Sequence, residues 1–525
     1  MAFTLLQAGT SLYTVNTGGG VSSALTLPTG TTLSQYRRPR FAKFNRYIVV
    51  VNTPSKPLSV DVAGVVRPLV PDAPLTTLTL SGVTGGTLSG TYRARQTYVI
   101  LDTLGNVISE SDYGPDMDAA VTIASQYLHA DSIAISSETI SARRLYRTTS
   151  GGASYFKWTT LDGNSHISIE DDASDASLGL IAGPELGSAP DLTLICEWQG
   201  RLWGVDRIDI DNLRYTTAGT MYGWSALNTI PIQHVGADSA GCTALIPRRN
   251  ALGVGRRNTL MQVTGTSRTN FTAVVVPGGE GRGVVSQESV VIDADIAYFL
   301  WQDGVYTWDS TGIHSLSDTK VSAWFGSDTY FNRAMFHRAT AQLVDQKYRL
   351  FLASPGSTQL DRWIEYDFRT KTWWGIHRTN AFTPTCTLPV AGADGQVYPM
   401  VGNQEGFVVQ EQDDANDLHA VAIPVSAVTK AHAGGDPESE KVFGELSIWG
   451  KGQATGSITV TPSVGTLAGQ VDLAPFDYDM TLGRHRVGRV GVGQHATLTF
   501  THDTINEPVE LYGYTINPVS VVDRR

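Results

Sequence analysis

The sequence predicts an all-β protein: a β-propeller of six or seven blades, an inserted β-sandwich and a C-terminal β-rich region. The main observation is a module that occurs five times. Each copy is a polar turn followed by a short apolar strand, usually with an aromatic residue. Its marker residues are Leu202, Leu260, Tyr306, Tyr348 and Tyr398. They are 58, 46, 42 and 50 residues apart, close to the repeat length of propeller blades. Only 17% of the 525 residues are charged and 53 are glycine, which favours short strands with many turns.

The charge and the cysteines narrow the class of protein. A net charge of −11 argues against a nucleic-acid-binding surface held by counterion release. The three cysteines, Cys196, Cys242 and Cys386, lie far apart, which favours buried thiols in a reducing compartment over a disulfide framework. The first eight residues lack the basic and apolar regions of a signal peptide. No apolar run reaches eighteen residues, so we expect synthesis in a cytoplasm and no membrane insertion.

Residues 1–74 are predicted to be the first propeller strands. Two apolar strands flank a turn at Asn45 and Arg46, and a second pair flanks a turn at Ala63 and Gly64. The prolines at 71 and 74 then indicate a linker.

Residues 75–187 have a residue pattern that differs from that of the blade modules. They are predicted to form an inserted sandwich of the immunoglobulin or fibronectin-III type. The segment 90–102 alternates polar and apolar residues as a half-buried strand does. Further strands are expected around residues 142–148 and 155–158. The best helical pattern in the chain spans residues 117–127.

The main blades are predicted over residues 188–440. The clearest hairpin joins Ala297–Trp301 to Val305–Trp308 across Gln302–Gly304, because Asp-Gly between apolar strands is a strong turn signal. Residues 441–525 alternate again. They fit either a terminal β-sandwich or strands that close a ring.

Several patterns resemble ligand sites, but each lacks a required part. The glycine-rich run Gly278–Gly283 precedes a strand-like segment, Val284–Val291, instead of the helix that a phosphate loop needs. The acidic clusters Asp206–Asn212 and Gln412–His419 lack the glycine and distal glutamate of a calcium loop, so solvated turns are the better interpretation. No zinc spacing and no nucleophile elbow occurs. The sequence predicts no catalytic residue, no cofactor and no metal ligand, and whether a structural calcium ion binds stays open.

Arginines and tryptophans also have two interpretations. Arg37–Arg40, Arg248–Arg249 and Arg256–Arg257 could contact phosphates or a neighbouring subunit, but cations balanced by nearby acids are the simpler expectation at this net charge. Eight tryptophans could form a sugar-binding surface, but their place within strand modules favours blade cores. They are Trp198, Trp203, Trp224, Trp301, Trp308, Trp363, Trp373 and Trp374.

Two segments carry a family resemblance. Residues 197–226 contain a Gly-Arg-Leu strand, a strand ending in Tyr-Thr and a Gly-Trp turn, and residues 289–317 contain a second blade-like stretch. Both resemble blades of the tail nozzle, or tail tubular protein B-like, family of short-tailed bacteriophages. The resemblance is good over residues 190–410 and poor over the last eighty residues.

The resemblance implies a structural protein and no enzyme. Six subunits are expected to form a ring below the portal and adaptor proteins of the virion tail, assembled in the host cytoplasm. The ring would conduct double-stranded DNA without specific binding and mount fibres or spikes that reach the host surface. A negative lumen would keep DNA phosphates from adhering. The alternatives are a glycan-binding tail propeller and a propeller glycosidase.

Overall fold

The computed structural model is all-β, with 53% strand and 4% helix, and none of the sheets formed by its described strands closes into a barrel. It describes residues 4–15, 20–52, 56–117, 119–178, 183–232, 241–318, 321–379, 382–391, 397–410, 417–418, 421–422, 424–435, 438–466, 469–504, 507 and 509–521. The chain divides into two compact units. The first takes residues 1–378 and 384–410, and the second takes residues 379–383 and 411–525.

Six antiparallel sheets, in which strands adjacent in sequence pair, form the frame of the first unit. Sheet I contains Arg40–Phe44, Tyr47–Val51, Leu58–Val60 and Val66–Pro68. Sheet II contains Leu192–Trp198, Arg201–Asp206, Asn212–Tyr215 and Thr229–Pro231. Sheet III contains Ala244–Pro247, Leu252–Gly255, Thr259–Thr264 and Thr272–Glu280. Sheet IV contains Val291–Asp293, Ile296–Trp301, Gly304–Trp308 and Ile313–Ser315. Sheet V contains Thr340–Val344, Lys347–Ala353, Leu360–Asp367 and Thr372–Arg378, and sheet VI contains Pro384–Ala391, Val397–Asn403 and Val408–Gln410.

In three of these sheets, a tight turn with positive φ joins the first two strands. Gln199 and Gly200 join the first two strands of sheet II, with φ of 52° and 66°. Ala294–Asp295 in sheet IV and Asp345–Gln346 in sheet V also have positive φ at both positions. Positive φ at both central residues matches the right-handed twist of the flanking strands. The turn predicted at Asn45 is present in sheet I, where its φ is 52°.

Shared hydrophobic cores pack consecutive sheets face to face. Sheet IV is buried on both faces: Phe299 and Tyr306 pack against sheet III, whereas Tyr298 and Leu300 pack against sheet V. Sheets II and III share a further core around Trp203, and sheets I and II share another. Burial on both faces explains why these strands read as nearly continuous apolar runs.

An N-terminal hairpin contacts both the first and the last of the six sheets. Its strands are Thr4–Ala8 and Ser11–Val15. Leu5 and Leu12 pack into the core of sheet I, while Val15 packs with Val390 and Met400 of sheet VI. Sheets V and VI also touch, since the Thr387 hydroxyl donates to the Ala341 carbonyl at 2.7 Å. The contacts therefore run from sheet I through sheet VI and return through the hairpin to sheet I.

The inserted segment folds as two antiparallel sheets around one core. One contains Thr79–Tyr92, Val121–Asp131 and Ile169–Asp171, and the other contains Ala94–Leu101, Val107–Glu110, Ala142–Thr148 and Tyr155–Asp162. Leu128 from the first sheet and Leu145 from the second are both fully buried in that core. The helix predicted over residues 117–127 is wrong. Residues 121–131 form a strand, because the β-branched Val121–Ile123 pair with Gly90–Tyr92 across the three-stranded sheet.

Within the described residues, helical structure is confined to short turns. They are Asp175–Leu178, Gln287–Ser289, Ser322–Phe325, Arg333–Arg338 and Met480–Leu482. The expected strand over Val284–Val291 is wrong, since a 3₁₀ turn occupies Gln287–Ser289 and the strand begins only at Val291. There the Gln287 amide bonds both backbone groups of Leu245, in place of a strand partner.

The second unit contains two sheets with a core of their own. One contains Val425–Val428, Ser457–Thr466, Gly469–Asp472, Phe476–Asp479 and His495–His502, and the other contains Lys441–Gly450, Arg484–Gly493 and Leu511–Val521. A short pair, Asp417–Leu418 with Val421–Ala422, precedes them. Phe443, Leu446 and Ile448 of the smaller sheet pack with Val460 and Leu498 of the larger. Among the described strands, those of residues 411–525 pair only with one another, as a terminal sandwich requires.

Candidate anion-binding site

The segment before sheet I is held by an arginine that reaches three other parts of the first unit. Arg38 donates to the Glu288 carboxylate at 2.9 Å, to the Thr385 carbonyl at 2.6 Å and to the Arg338 carbonyl at 3.1 Å. Arg40 forms a second ion pair with Glu288. These contacts join the approach to sheet I with residues at the starts of sheets IV, V and VI.

Glu288 is fixed by the turn on which it lies. The neighbouring Ser286 hydroxyl donates to the Ala339 carbonyl at 2.8 Å, just before sheet V. The next side chain, Gln287, accepts from the Leu245 amide at 2.6 Å and donates to its carbonyl at 3.0 Å. The turn is therefore tied to sheets III and V, and the carboxylate has little freedom to leave the arginines.

The arginines outnumber their carboxylate. The side chains of Arg38, Arg40 and Glu288 are 28%, 20% and 18% exposed. Burial, and then the positive charge of Arg38, lowers the pKa of Arg40 to about 10. Burial also lowers the pKa of Arg38. Two guanidinium groups beside one carboxylate leave a surplus positive charge, which an added anion would neutralise.

A second basic segment comes from the 3₁₀ turn Arg333–Arg338. The Asn332 side chain accepts from the Ala334 amide at 3.2 Å and so fixes the start of the turn. Arg333 donates to the Gln302 carbonyl at 3.2 Å and Arg338 to the Thr358 carbonyl at 2.9 Å. Neutral carbonyl groups thus position both guanidinium groups. These contacts leave the positive charges of Arg333 and Arg338 free to attract an anion.

Two adjoining clefts bring these basic segments together. The larger cleft, of about 600 Å³, is lined by Arg37, Arg38, Arg40, His337 and Arg338 among others. A second cleft of about 530 Å³ is lined by Arg257, Arg333 and His337, with neutral neighbours. His337 lines both clefts, so they lie next to each other. These seven side chains are called the basic track below. Among the described residues, no carboxylate lines either cleft.

The track also carries neutral groups suited to an anionic polymer. Gln7, Gln35 and Tyr36 line the larger cleft, and Gln302 lines the smaller one. The Tyr36 side chain is 90% exposed. Amide and hydroxyl donors next to arginines can bind phosphate oxygens without adding negative charge.

The other predicted arginine pairs have mixed outcomes. Arg248 pairs with Asp295 at 3.2 Å and lies over the Trp308 ring, and Arg256 is buried against Asp211 at 2.9 Å. The expectation that nearby acids balance these cations is therefore confirmed for Arg248 and Arg256. Arg257, the neighbour of Arg256, instead joins the basic track.

The candidate ligand loops form ordinary backbone structure. Gly278, Gly279 and Glu280 end a strand of sheet III. In the acidic cluster, Asp206 accepts from two backbone amides of its own turn and Asp211 pairs with Arg256. The second cluster, Gln412–His419, lies largely outside the described residues. Across the described part of the chain, no three His, Cys, Asp or Glu side chains converge as metal ligands would.

The aromatic and cysteine predictions hold in part. Trp198, Trp203, Trp224 and Trp308 are at most 4% exposed, so their predicted burial in hydrophobic cores, rather than on a sugar-binding surface, is confirmed. Trp374 is 51% exposed. Of the cysteines, Cys196 is buried, Cys242 is intermediate and Cys386 is exposed, so the expectation of burial is wrong for Cys386.

Sequence reasoning found one part of the basic track and missed the rest. The run Arg37–Arg40 was visible as a basic cluster. The Arg333–Arg338 segment carries Arg, His and Arg within six residues, a signal available in the sequence. Nothing in the sequence places it beside residues about three hundred positions earlier, because sheet packing alone brings the two together.

Comparisons with known proteins leave the family open. No family model and no curated protein matches the sequence. The AfRom2 CNH domain aligns at TM-score 0.29 and 8% identity over 78% of this chain and 90% of its own. An extracellular domain of a one-component system from B. thetaiotaomicron aligns at TM-score 0.28 and 10% identity, covering 98% and 78%. An exo-β-1,3-galactanase from Phanerochaete chrysosporium aligns at TM-score 0.18 and 11% identity, covering 77% and 96%. Likenesses this far below a TM-score of 0.5 define neither the fold nor the function of this chain.

The described residues contain no helix long and apolar enough to span a membrane.

Proposed function

We propose that this chain is a nozzle subunit of a short-tailed bacteriophage, a virion protein that extends the DNA-ejection channel as one member of a ring. The observation that carries the proposal is the closed order of contacts among sheets I to VI and the N-terminal hairpin. The segments that build sheets II to VI are those whose sequence resembles nozzle blades.

The contacts that run from sheet I to sheet VI and return to sheet I through the N-terminal hairpin support a six-bladed propeller. Each sheet packs on the next as a propeller blade does. The hairpin bridges sheet VI and sheet I through separate apolar contacts on its two strands. Arg38 adds polar contacts that join the beginnings of several sheets. A propeller offers two broad faces and a rim, on which contacts with other proteins can be built.

The two sheets of the inserted segment favour an immunoglobulin- or fibronectin-III-like sandwich. This sandwich would mount fibres or spikes. Specific polar contacts fix the two sheets to residues that flank the last two strands of sheet I. Lys56 pairs with Glu138 at 2.7 Å, and the Ser109 hydroxyl donates to the Leu69 carbonyl at 2.6 Å. A platform held in this way could transmit force from a fibre to the ring.

The proposed partners follow from the family resemblance. Six copies would form the ring, with portal or adaptor proteins on one side and fibres or spikes at the periphery. Double-stranded DNA would pass along the axis. A closed ring needs two different subunit faces that complement each other, and the propeller with its appended sheets offers several.

Electron microscopy of the full-length protein, alone and co-expressed with portal and adaptor proteins of a short-tailed phage, tests the proposal. A six-fold ring with an axial channel is the expected result. The same sample would be screened on an oligosaccharide array and for glycoside hydrolysis. A monomer in every mixture that binds a glycan would favour the adhesin alternative, and hydrolysis would favour the glycosidase; either result refutes the nozzle.

A further inference from the structure

The basic track is unusual in a chain of net charge −11. It gathers six arginines and one histidine from three separate segments along two adjoining clefts. Among the described residues, Glu288 is the one carboxylate that forms ion pairs with these arginines, and it pairs only with Arg38 and Arg40. The remaining four, Arg37, Arg257, Arg333 and Arg338, are exposed. The rest of the molecule must therefore be more acidic than the net charge indicates.

We propose that the basic track binds the phosphodiester backbone of double-stranded DNA. The inference rests on the proposed function, since a nozzle subunit meets the genome as it passes. It goes beyond that function by placing a phosphate-binding surface on a ring subunit expected to be repellent. The site would hold DNA by charge and by neutral donors, without reading its sequence.

Three features favour a phosphate backbone over an acidic peptide. The track extends across two clefts, whereas a few carboxylates would need only one. A DNA backbone presents one charge about every 3.4 Å per strand, which suits arginines distributed over two adjoining clefts. The guanidinium fork binds the oxygens of one phosphate in pairs, and Gln7, Gln35 and Tyr36 add neutral donors beside the arginines.

The surrounding acidity keeps such contacts weak. Four exposed arginines predict a salt slope of about −3 to −4, because each phosphate neutralised contributes about −0.9. Binding would be measurable at about 50 mM salt and lost near 200 mM. DNA could thus be held while it is stationary and still slide past when it is driven outward.

Fluorescence anisotropy of a labelled duplex of roughly 20 base pairs (about two helical turns) with full-length protein provides the test. The variant Arg37→Gln/Arg257→Gln removes one charge from each cleft and no hydrogen bond seen in the structure. The matched control, Arg46→Gln/Arg249→Gln, changes the net charge equally at exposed sites elsewhere. We expect the first variant to bind at least about tenfold more weakly at 50 mM salt, with the slope smaller by about 2. The control should match the wild type.

Three results would overturn the inference. The first is no binding by the wild type at 50 mM salt, and the second is equal loss in the two double variants. The third is displacement of DNA by poly-glutamate, or by inorganic phosphate, at lower charge concentration than by unlabelled duplex. Poly-glutamate would indicate an acidic protein partner, and phosphate a free-anion site. Failure of the nozzle is separable: DNA binding lost only in the track variant, with no ring by microscopy, would keep the site and refute the ring.

Discussion

Replacing Glu288 with glutamine should destabilise the first unit, because two arginines would lose the one carboxylate with which they pair among the described residues. The three side chains are each less than a third exposed. Removing one partner of a buried ion pair costs about 3–5 kcal/mol. Arg38 keeps its carbonyl acceptors at 2.6 and 3.1 Å, and glutamine preserves the shape of the side chain. We therefore expect a loss of about 2–3 kcal/mol in the free energy of unfolding.

Urea unfolding followed by tryptophan fluorescence is the appropriate assay. Ten of the eleven tryptophans lie within residues 1–378 and only Trp449 lies in the second unit, so the signal reports the first unit. Glu280→Gln, at an exposed strand end, makes the same charge change and should stay within about 0.5 kcal/mol of wild type. Adding Arg40→Met to Glu288→Gln should recover at least about 1 kcal/mol, because the unpaired charge is removed.

The reasoning would be refuted by a Glu288→Gln variant as stable as the Glu280→Gln control. It would also be refuted if Arg40→Met made the same difference in both backgrounds, since the two side chains would then be energetically independent.

Three further predictions test the packing and the pH response. Gly253→Ala should cost about 1–3 kcal/mol in urea unfolding, because its Cβ would lie 2.5 Å from the Trp308 ring and 3.0 Å from Ile246; wild-type stability would contradict this contact between sheets III and IV. Leu12→Ala should cost about 2–5 kcal/mol, since Leu12 is fully buried between the hairpin and sheet I; a neutral result would mean that the hairpin is dispensable. Burial lowers the pKa of His377 below 6.5. On acidification the unfolded chain therefore takes up the proton first. The stability that neutral His377 contributes is full above pH 6.5 and is lost as the pH falls towards the folded pKa. His377→Gln should therefore lose less stability than wild type between about pH 7.5 and 5.5, and identical losses would contradict that assignment.

Local patterns in the sequence located most strands and several turns of the first unit. The hairpin at Asn45 and the pairing of Ala297–Trp301 with Gly304–Trp308 follow from alternation and turn residues that act over a few positions. The burial of Trp203 and Trp308 follows from aromatic residues lying within strand modules. The helical expectation over residues 117–127 failed because pairing with a distant strand overrode a weak local pattern.

Sequence patterns alone thus identify an all-β chain of repeated strand modules, with a different residue pattern in residues 75–187 and a basic run at Arg37–Arg40. The packing of the folded chain establishes which sheets share a core, that the N-terminal hairpin touches both sheet I and sheet VI, and that Arg37–Arg40 meets Arg333–Arg338. The two kinds of information differ in the distance along the chain over which they act. Strand periodicity and turn chemistry are local, whereas a site assembled from segments about three hundred residues apart depends on how buried faces pack, which no local pattern encodes.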